Sequence, residues 1–255
     1  MLKLNEIHQG CCLDLMRHIP AGSVDMILCD LPYGTTQNKW DSVIPFDKLW
    51  AAYERIIKPN GAIVLTASQP FTSALVMSNP KGFKYEIVWD KKSVTGFLDA
   101  SRKPLKAHES VLIFYNKQPT YNPIKTSANK HREFTNEKKR KIQTDNYGEM
   151  GDKLVVNYKA NERFPTSVLT INAVVNNSNE KVGHPTQKPT ALFEYLIKTY
   201  TNPGEVVLDN CAGSFTTAVA AENTGRRWIC IEQEAKYCEI GRARLAARQP
   251  LLFAA

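Results

Sequence analysis

The stretch DLPYG, residues 30–34, sets a carboxylate, a proline and an aromatic ring where the apolar run VDMILC ends. Asp30 and the backbone carbonyl of Leu31 are two neighbouring hydrogen-bond acceptors. Such a pair matches the two N–H bonds of an exocyclic amino group on a base. Pro32 fixes its own φ and stiffens the turn that presents them. Tyr33 offers a flat face for a base taken out of its helix, and such stacking contributes about 1–3 kcal/mol. A second stretch, VVLDNCAGSFTT (206–217), has small residues where a strand would turn into a helix. Small residues let a ligand approach the backbone, and a helix start supplies free N–H groups. Neither the P-loop pattern nor GxGxxG is present. Roughly twenty residues further on, RRWICIEQE brings Glu232 to a strand end, where a carboxylate can accept both hydroxyls of a ribose. Together these features suggest a nucleoside-containing ligand. Taken alone, the 209–217 turn fits an ordinary tight connection better, with Glu232 merely close to a helix N-cap, because such turns are common.

The elements that must position these residues alternate between strand and helix, the pattern of a parallel sheet covered on both faces. LNEIHQG reads as a strand, CLDLMRHI as a short helix, and VDMILCD as a strand with both faces buried. FDKLWAAYERIIKPNG reads as an amphipathic helix stopped by Pro59–Gly61. AIVLTAS, KYEIVWDK and ESVLIFYN read as strands, and PFTSALVMS as a helix opened by proline. Regular alternation lapses from 117 to 180 and then resumes. PTALFEYLIKTYT, CAGSFTTAVAAENTG and AKYCEIGRARLAARQ read as helices, and EVVLDN and RWICIEQE as strands. In α/β sheets of this kind ligands gather at the carboxyl ends of the strands, so DLPYG and DNCAGS are expected to share one site.

Composition narrows the setting. No apolar run among the 255 residues approaches the ~20 needed to span a membrane, and MLKLNEIHQG has no signal-peptide core. A soluble, cytoplasmic chain with no membrane partner is expected. The six cysteines form no CxxC pair, so reduced thiols are expected and no metal site. Net charge is +8, and residues 117–163 carry eleven Lys or Arg against six Asp or Glu. That segment includes KKRK (138–141) and Tyr121, Phe134, Tyr147 and Tyr158. It reads either as a solvated basic loop or as an insertion that contacts a polyanion.

With these residues in place the chain resembles the amino-methylating DNA methyltransferases that use S-adenosylmethionine. DLPY is similar to their [DNS]PP[YF] catalytic motif, LDNCAGS to their LDxFxGSG cofactor motif, and HPTQKP (184–189) to the segment before it. RFPTSVL (163–169) is also similar to the group usually called beta, whose motif order this chain follows. The resemblance covers nearly everything outside 117–162. It implies a circularly permuted, Rossmann-like α/β methyltransferase fold with a mostly parallel central sheet, helices on both faces and an inserted target-recognition region. Residues 1–116 would form the catalytic part, 117–180 the target-recognition insertion, and 181–255 the cofactor-binding part of the same domain.

The resemblance also implies roles. Asp30 and the Leu31 carbonyl would hold the target amino group, on a turn stiffened by Pro32, and Tyr33 would stack on the extruded base. Asp209, Asn210, Cys211, Ala212, Gly213 and Ser214 would surround the methionine part of the cofactor, and Glu232 its ribose hydroxyls. Cys11, Asp30, His184, Gln187 and Lys188 would complete the cofactor pocket. Lys138, Lys139, Arg140, Lys141 and Arg163 would contact DNA. Duplex DNA with an extruded base, or single-stranded DNA, would be the substrate. A second copy of the chain and a cognate restriction endonuclease are candidate partners. Aspartate at the first motif position favours N6 of adenine, with N4 of cytosine as the alternative.

Three positions depart from the family pattern. Leu31 replaces the usual first proline, Phe215 the second glycine of GSG, and Cys11 the aspartate of a GD-x-L segment (QGCCLDL, 9–15). A backbone carbonyl survives the first change. A bulky ring at 215 and a thiol at 11 alter what can reach the cofactor. These two residues are what favours a degenerate, non-catalytic nucleic-acid-binding protein. Methylation of RNA or of a protein glutamine is the other rival. The glutamine enzymes usually carry asparagine at the first motif position and the opposite motif order.

Overall fold

The computed structural model describes residues 1–36, 38, 41–127 and 162–248. Its main sheet has eight strands in the order β1-β10-β9-β2-β3-β5-β4-β8. They are β1 (Glu6–Gln9), β2 (Val24–Asp30), β3 (Ile57–Ala67), β4 (Phe83–Thr95), β5 (Lys106–Phe114), β8 (Val168–Thr170), β9 (Val206–Asp209) and β10 (Arg227–Glu232). The five strands from β1 to β3 run parallel, β5 is antiparallel to both β3 and β4, and β8 pairs parallel with β4. The chain's last two strands therefore lie between its first two, which is the permuted, mostly parallel α/β sheet that the motif order implies.

The apolar run of β2 explains its central place. Ile27 and Cys29 face one core with Leu49, Trp50, Tyr53 and Phe71, while Met26 and Leu28 face another with Phe193, Leu196, Ala218 and Cys238. Alternate residues point to opposite faces, so a strand buried on both sides must be apolar throughout. Helices α1 (Cys12–Met16), α2 (Phe46–Ile56) and α3 (Phe71–Ser78) contribute to the first core, and α4 (Thr190–Tyr200), α5 (Thr216–Asn223) and α6 (Ala235–Ala246) to the second. In α2 the buried residues are Leu49, Trp50, Tyr53 and Ile56, one apolar stripe at helical spacing. No helix among the described residues is long and apolar enough to cross a membrane.

Two expectations are corrected here. Helix α2 ends at Ile56, before Pro59, because Ile57 already pairs with Val24 as the start of β3. The expected irregular region 117–180 also yields Val168–Thr170 to the main sheet, because the edge of β4 offers backbone partners for it. A second compact unit spans Pro123–Thr166, and the first comprises Met1–Asn122 with Ser167–Ala255. Within the second unit β6 (Thr126–Ser127) pairs antiparallel with β7 (Glu162–Arg163), Lys125 bridges Glu162 at 2.9 Å, and its ammonium lies 4.9 Å from the Phe164 ring centre. Arg163 is exposed. The KKRK run and Trp40 lie outside the described residues.

Candidate active site

Strands β2 and β9 are neighbours, with Ile27 opposite Leu208, so their carboxyl ends deliver Asp30 and the 209–214 turn side by side. One cavity of about 750 Å³ is lined by both, together with Gly10, Glu232, Lys106 and Lys188. Every proposed catalytic and cofactor residue of the first unit lines it.

At the Asp30 end both carboxylate oxygens are hydrogen-bonded. Oδ1 accepts hydrogen bonds from the Tyr33 hydroxyl (2.7 Å) and from Thr66, which faces Asp30 in the β2–β3 register. Oδ2 accepts from the Lys188 ammonium at 2.7 Å. Burial, together with the negative charges of Asp30 and Glu109, raises the Tyr33 hydroxyl well above its usual range, so Tyr33 stays a donor. Its ring stacks on Phe71 (centres 5.2 Å apart, 27° between planes), and Phe71 thus backs the surface expected to receive a base. The Lys188 ammonium also lies 5.6 Å from the Tyr33 ring centre. The side chain of Leu31 is buried in the core, so replacing proline there leaves the backbone carbonyl in place. Asp41 holds the following loop by accepting from the backbone N–H groups of Gly34, Thr35 and Thr36 at 2.7–2.9 Å.

At the other end the turn is built around Gly213. Its φ is +50°, a left-handed conformation, and a Cβ there would sit 3.0 Å from Nε2 of His184. Only glycine meets both conditions without strain. The Gly213 N–H donates to Oε2 of Glu232 at 2.8 Å, and Oε1 accepts from the Glu234 N–H at 2.8 Å. Burial raises the Glu232 pKa against these two bonds. Asp209 spends Oδ1 on the Cys211 N–H (3.0 Å) and Oδ2 on the Thr217 hydroxyl (2.5 Å), and burial pushes its pKa up to about 7. Asn210 accepts from the Tyr53 hydroxyl at 2.5 Å, which ties α2 to the turn. His184 packs 4.5 Å from the Tyr237 ring centre, and burial lowers its pKa to about 4, so it is neutral near pH 7. Gln187 uses its amide on the backbone of Glu180 (2.7 Å) and Val182 (3.0 Å), ordering the segment that carries His184 and Lys188.

Of the departures, Phe215 has a structural explanation. It is fully buried at φ +58° and heads α5, with its ring among Phe193, Ala218 and Cys238 and against Gly241 of α6. It does not line the cavity. Cys11 is exposed and lines the cavity. Cys12, half-buried beside it, has its thiol pulled down to about 7, chiefly by hydrogen bonding with Cys211.

Sequence reading missed Thr66, Tyr53, Lys91 and Glu109 as site residues. Thr66 could have been found as the polar residue ending an apolar strand. Glu109 and Lys91 reach the cavity only through the pairing of β4 with β5, which sets Trp89 opposite Glu109.

The cavity holds the Gly213 turn with the Glu232 carboxylate and, where β2 ends, the Asp30 carboxylate with the Tyr33 ring. A DNA adenine methyltransferase of Escherichia coli (strain K12), YhdJ, is 29% identical over 94% of this chain and 82% of its own length. The crystal structure of the M1.HpyAVI–SAM complex superposes with a TM-score of 0.63 at 24% identity, covering 94% of this chain and 98% of that one. The cytosine-N4-specific PvuII DNA methyltransferase superposes with a TM-score of 0.68 at 17% identity, covering 94% and 85%. Residues 24–243 match the DNA methylase family of N6 and N4 methyltransferases, and with both motif ends meeting in one cavity the chain belongs to that S-adenosylmethionine-dependent family.

Proposed function

We propose that the chain methylates the exocyclic N6 of adenine in DNA, with Asp30 and the Leu31 carbonyl as the acceptors that hold the amino group. The supporting observation is that Asp30 opens into the same cavity as Gly213 and Glu232. Aspartate at the first motif position and the adenine-specific relative favour adenine. The amino nitrogen of a base is a poor nucleophile because its lone pair is delocalised into the ring. Two fixed acceptors draw its hydrogens out of the ring plane and localise that pair. The bound cofactor supplies an electrophilic methyl group on a sulfonium. Asp30 then stands where it can take the proton that the nitrogen sheds. Most of the acceleration comes from positioning, and effective molarities of about 10⁵ M or more are accessible in good geometry. The base must leave the duplex, because its amino group is paired there.

Glu232 and the Gly213 turn hold the nucleoside and methionine parts of the cofactor in this reading, and Arg163 and the KKRK run contact DNA phosphates. The same acceptors would serve N4 of cytosine, the target named for the PvuII enzyme. Sequencing DNA from cells that express the chain, with detection of modified bases, returns base, atom and site together. N4-methylcytosine in place of N6-methyladenine would reject the adenine assignment. Asp30→Ala should abolish transfer even at saturating S-adenosylmethionine, and near-normal turnover would remove Asp30 from the chemistry.

A further inference from the structure

Asp30 belongs to a ladder of four alternating charges that the reaction as described does not use. Lys188 lies 2.7 Å from Asp30 and 3.4 Å from Oε2 of Glu109, and Lys91 lies 3.3 Å from Oε1 of Glu109. Both ammonium groups are buried, with relative exposures of 7% for Lys188 and 5% for Lys91. Burial would lower the Lys188 pKa, but the Asp30 and Glu109 carboxylates outweigh it and raise it, so Lys188 stays charged. The ladder is uneven: Lys188 makes a 2.7 Å hydrogen bond to Asp30, whereas its contact with the buried Oε2 of Glu109 is a longer ion pair of 3.4 Å that is not aligned as a hydrogen bond.

This arrangement conflicts with the demand placed on Asp30. Both of its oxygens already accept hydrogen bonds, and the ammonium on Oδ2 offsets the charge needed as the amino nitrogen becomes cationic. A buried acceptor left unsatisfied is itself unfavourable. The same displacement relieves both problems. We propose that Glu109 is a positioning residue: when the target amino group arrives, Lys188 passes from Asp30 to Glu109 and leaves Oδ2 for the substrate. The ammonium already lies 3.4 Å from Oε2 and has only to turn and shorten that contact. No bond to a heavy atom is made or broken, and the site's total charge is unchanged. Lys91 stays on the other oxygen and holds the Glu109 carboxylate in place.

The inference rests on Asp30 being the amino-group acceptor, and it is tested on whichever base the wild-type chain methylates. The experiment is single-turnover methylation of a DNA duplex by Glu109→Gln, Lys188→Met and the double variant, with cofactor titration and thermal melting as controls. Glu109→Gln strands Lys188 on Asp30. Turnover should fall at least thirtyfold, with the cofactor dissociation constant and the KM for DNA within twofold of wild type. Lys188→Met removes the cation that must move, and because Lys188 also lines the cofactor pocket it is assayed at saturating S-adenosylmethionine as the background for the double variant. The double variant should match Lys188→Met, because Glu109 has nothing left to take up. Should Lys188→Met fold poorly, Lys188→Gln replaces it in the cycle. Turnover of Glu109→Gln within threefold of wild type overturns the proposal. So does a double variant whose loss is the product of the single losses. Asp30→Ala separates the two readings: if it methylates normally, the assignment of Asp30 fails, and if it is inactive, the Glu109 results bear on the ladder alone.

Discussion

Gly241 and Phe215 form a pair whose energetics can be worked out from distances. An added Cβ at Gly241 would lie 2.2 Å from one ring carbon of Phe215 and 2.6 Å from two others. Those atoms belong to a fully buried ring, so neither partner can yield cheaply. Overpacking of this kind costs about 1–3 kcal/mol, and so severe an approach belongs at the upper end. Against it stands the gain of about 1 kcal/mol from replacing glycine by alanine within a helix. Gly241→Ala should therefore destabilise the chain by roughly 1–2 kcal/mol, the difference between those terms. Phe215→Ala alone should cost about 3–5 kcal/mol through the cavity it leaves. In that background the obstruction is gone, and Gly241→Ala should become stabilising by about 1 kcal/mol from helix propensity. Urea denaturation of the four proteins measures the cycle. A reversal of sign is expected, with cofactor affinity unchanged by Gly241→Ala because neither residue lines the cavity. The same sign in both backgrounds would refute the contact. A large loss of cofactor affinity on Gly241→Ala would show that Phe215 reaches the ligand after all.

Three further outcomes follow from the site's electrostatics. Asp209, raised to about 7 when folded, binds more protons in the folded than in the unfolded state between about pH 4 and 7, so stability falls as pH rises through that window. Asp209→Asn keeps an acceptor for the Cys211 N–H and a partner for Thr217, so it should flatten that slope in denaturation midpoints measured from pH 4 to 8; an unaltered slope would exclude Asp209 as its source. Asp41 works in the opposite direction: burial raises its pKa, but the bonds from Gly34, Thr36 and Thr35 outweigh burial and hold it below the usual carboxylate range. Its stabilisation is present above about pH 4 and lost as pH falls through the lowered folded value, and Asp41→Ala should cost about 1–3 kcal/mol at neutral pH. A melt indistinguishable from wild type would mean that the loop holds without it. Cys12, lowered to about 7, should be alkylated by iodoacetamide at pH 7.5 at least tenfold faster than buried Cys29, whose thiol is pushed up to about 12, with S-adenosylmethionine slowing the reaction at Cys12. Peptide mass spectrometry checks both rates, and equal labelling would refute the difference.

What sequence could disclose depended on how locally each feature is encoded. Strand β2 coincides with VDMILCD because burial on both faces demands an unbroken apolar run, and its end places Asp30 without further information. The permuted sheet order followed from motif order, since DLPYG precedes DNCAGS while their strands lie adjacent. The end of α2 was misread because proline is a strong local stop, whereas the competing signal, the pairing of Ile57 with Val24, lies thirty-three positions away. Phe215 could not be judged from its type, because its left-handed backbone and the place of its ring, against Gly241 of α6 twenty-six positions away, are tertiary features. Glu109 was harder still. In the sequence it is one of two polar residues before an apolar strand. Its meaning comes from Lys188, seventy-nine positions away, and from the β4–β5 register.

The ladder of Lys91, Glu109, Lys188 and Asp30 also bears on why this end of the cavity is polar at all. Buried ion pairs are poor stabilisers: desolvation consumes much of their attraction, and apolar replacements of similar volume are often neutral or better. Stability alone would favour an apolar lining beside Trp89 and Phe193. Removing one charge from such a set is far more damaging than removing all of them, because the survivors are left uncompensated. A site that must receive a neutral amino group, carry a positive charge on its nitrogen and release a neutral product cannot rest on a single fixed carboxylate. It needs negative charge exposed in one state and covered in the other. Two carboxylates sharing one mobile ammonium meet that need with no change in the total charge buried. Glu109→Gln leaves two buried ammonium groups on the one carboxylate of Asp30, so it should lower the denaturation midpoint as well as turnover, whereas an unchanged midpoint would show that the ladder carries no net charge compensation.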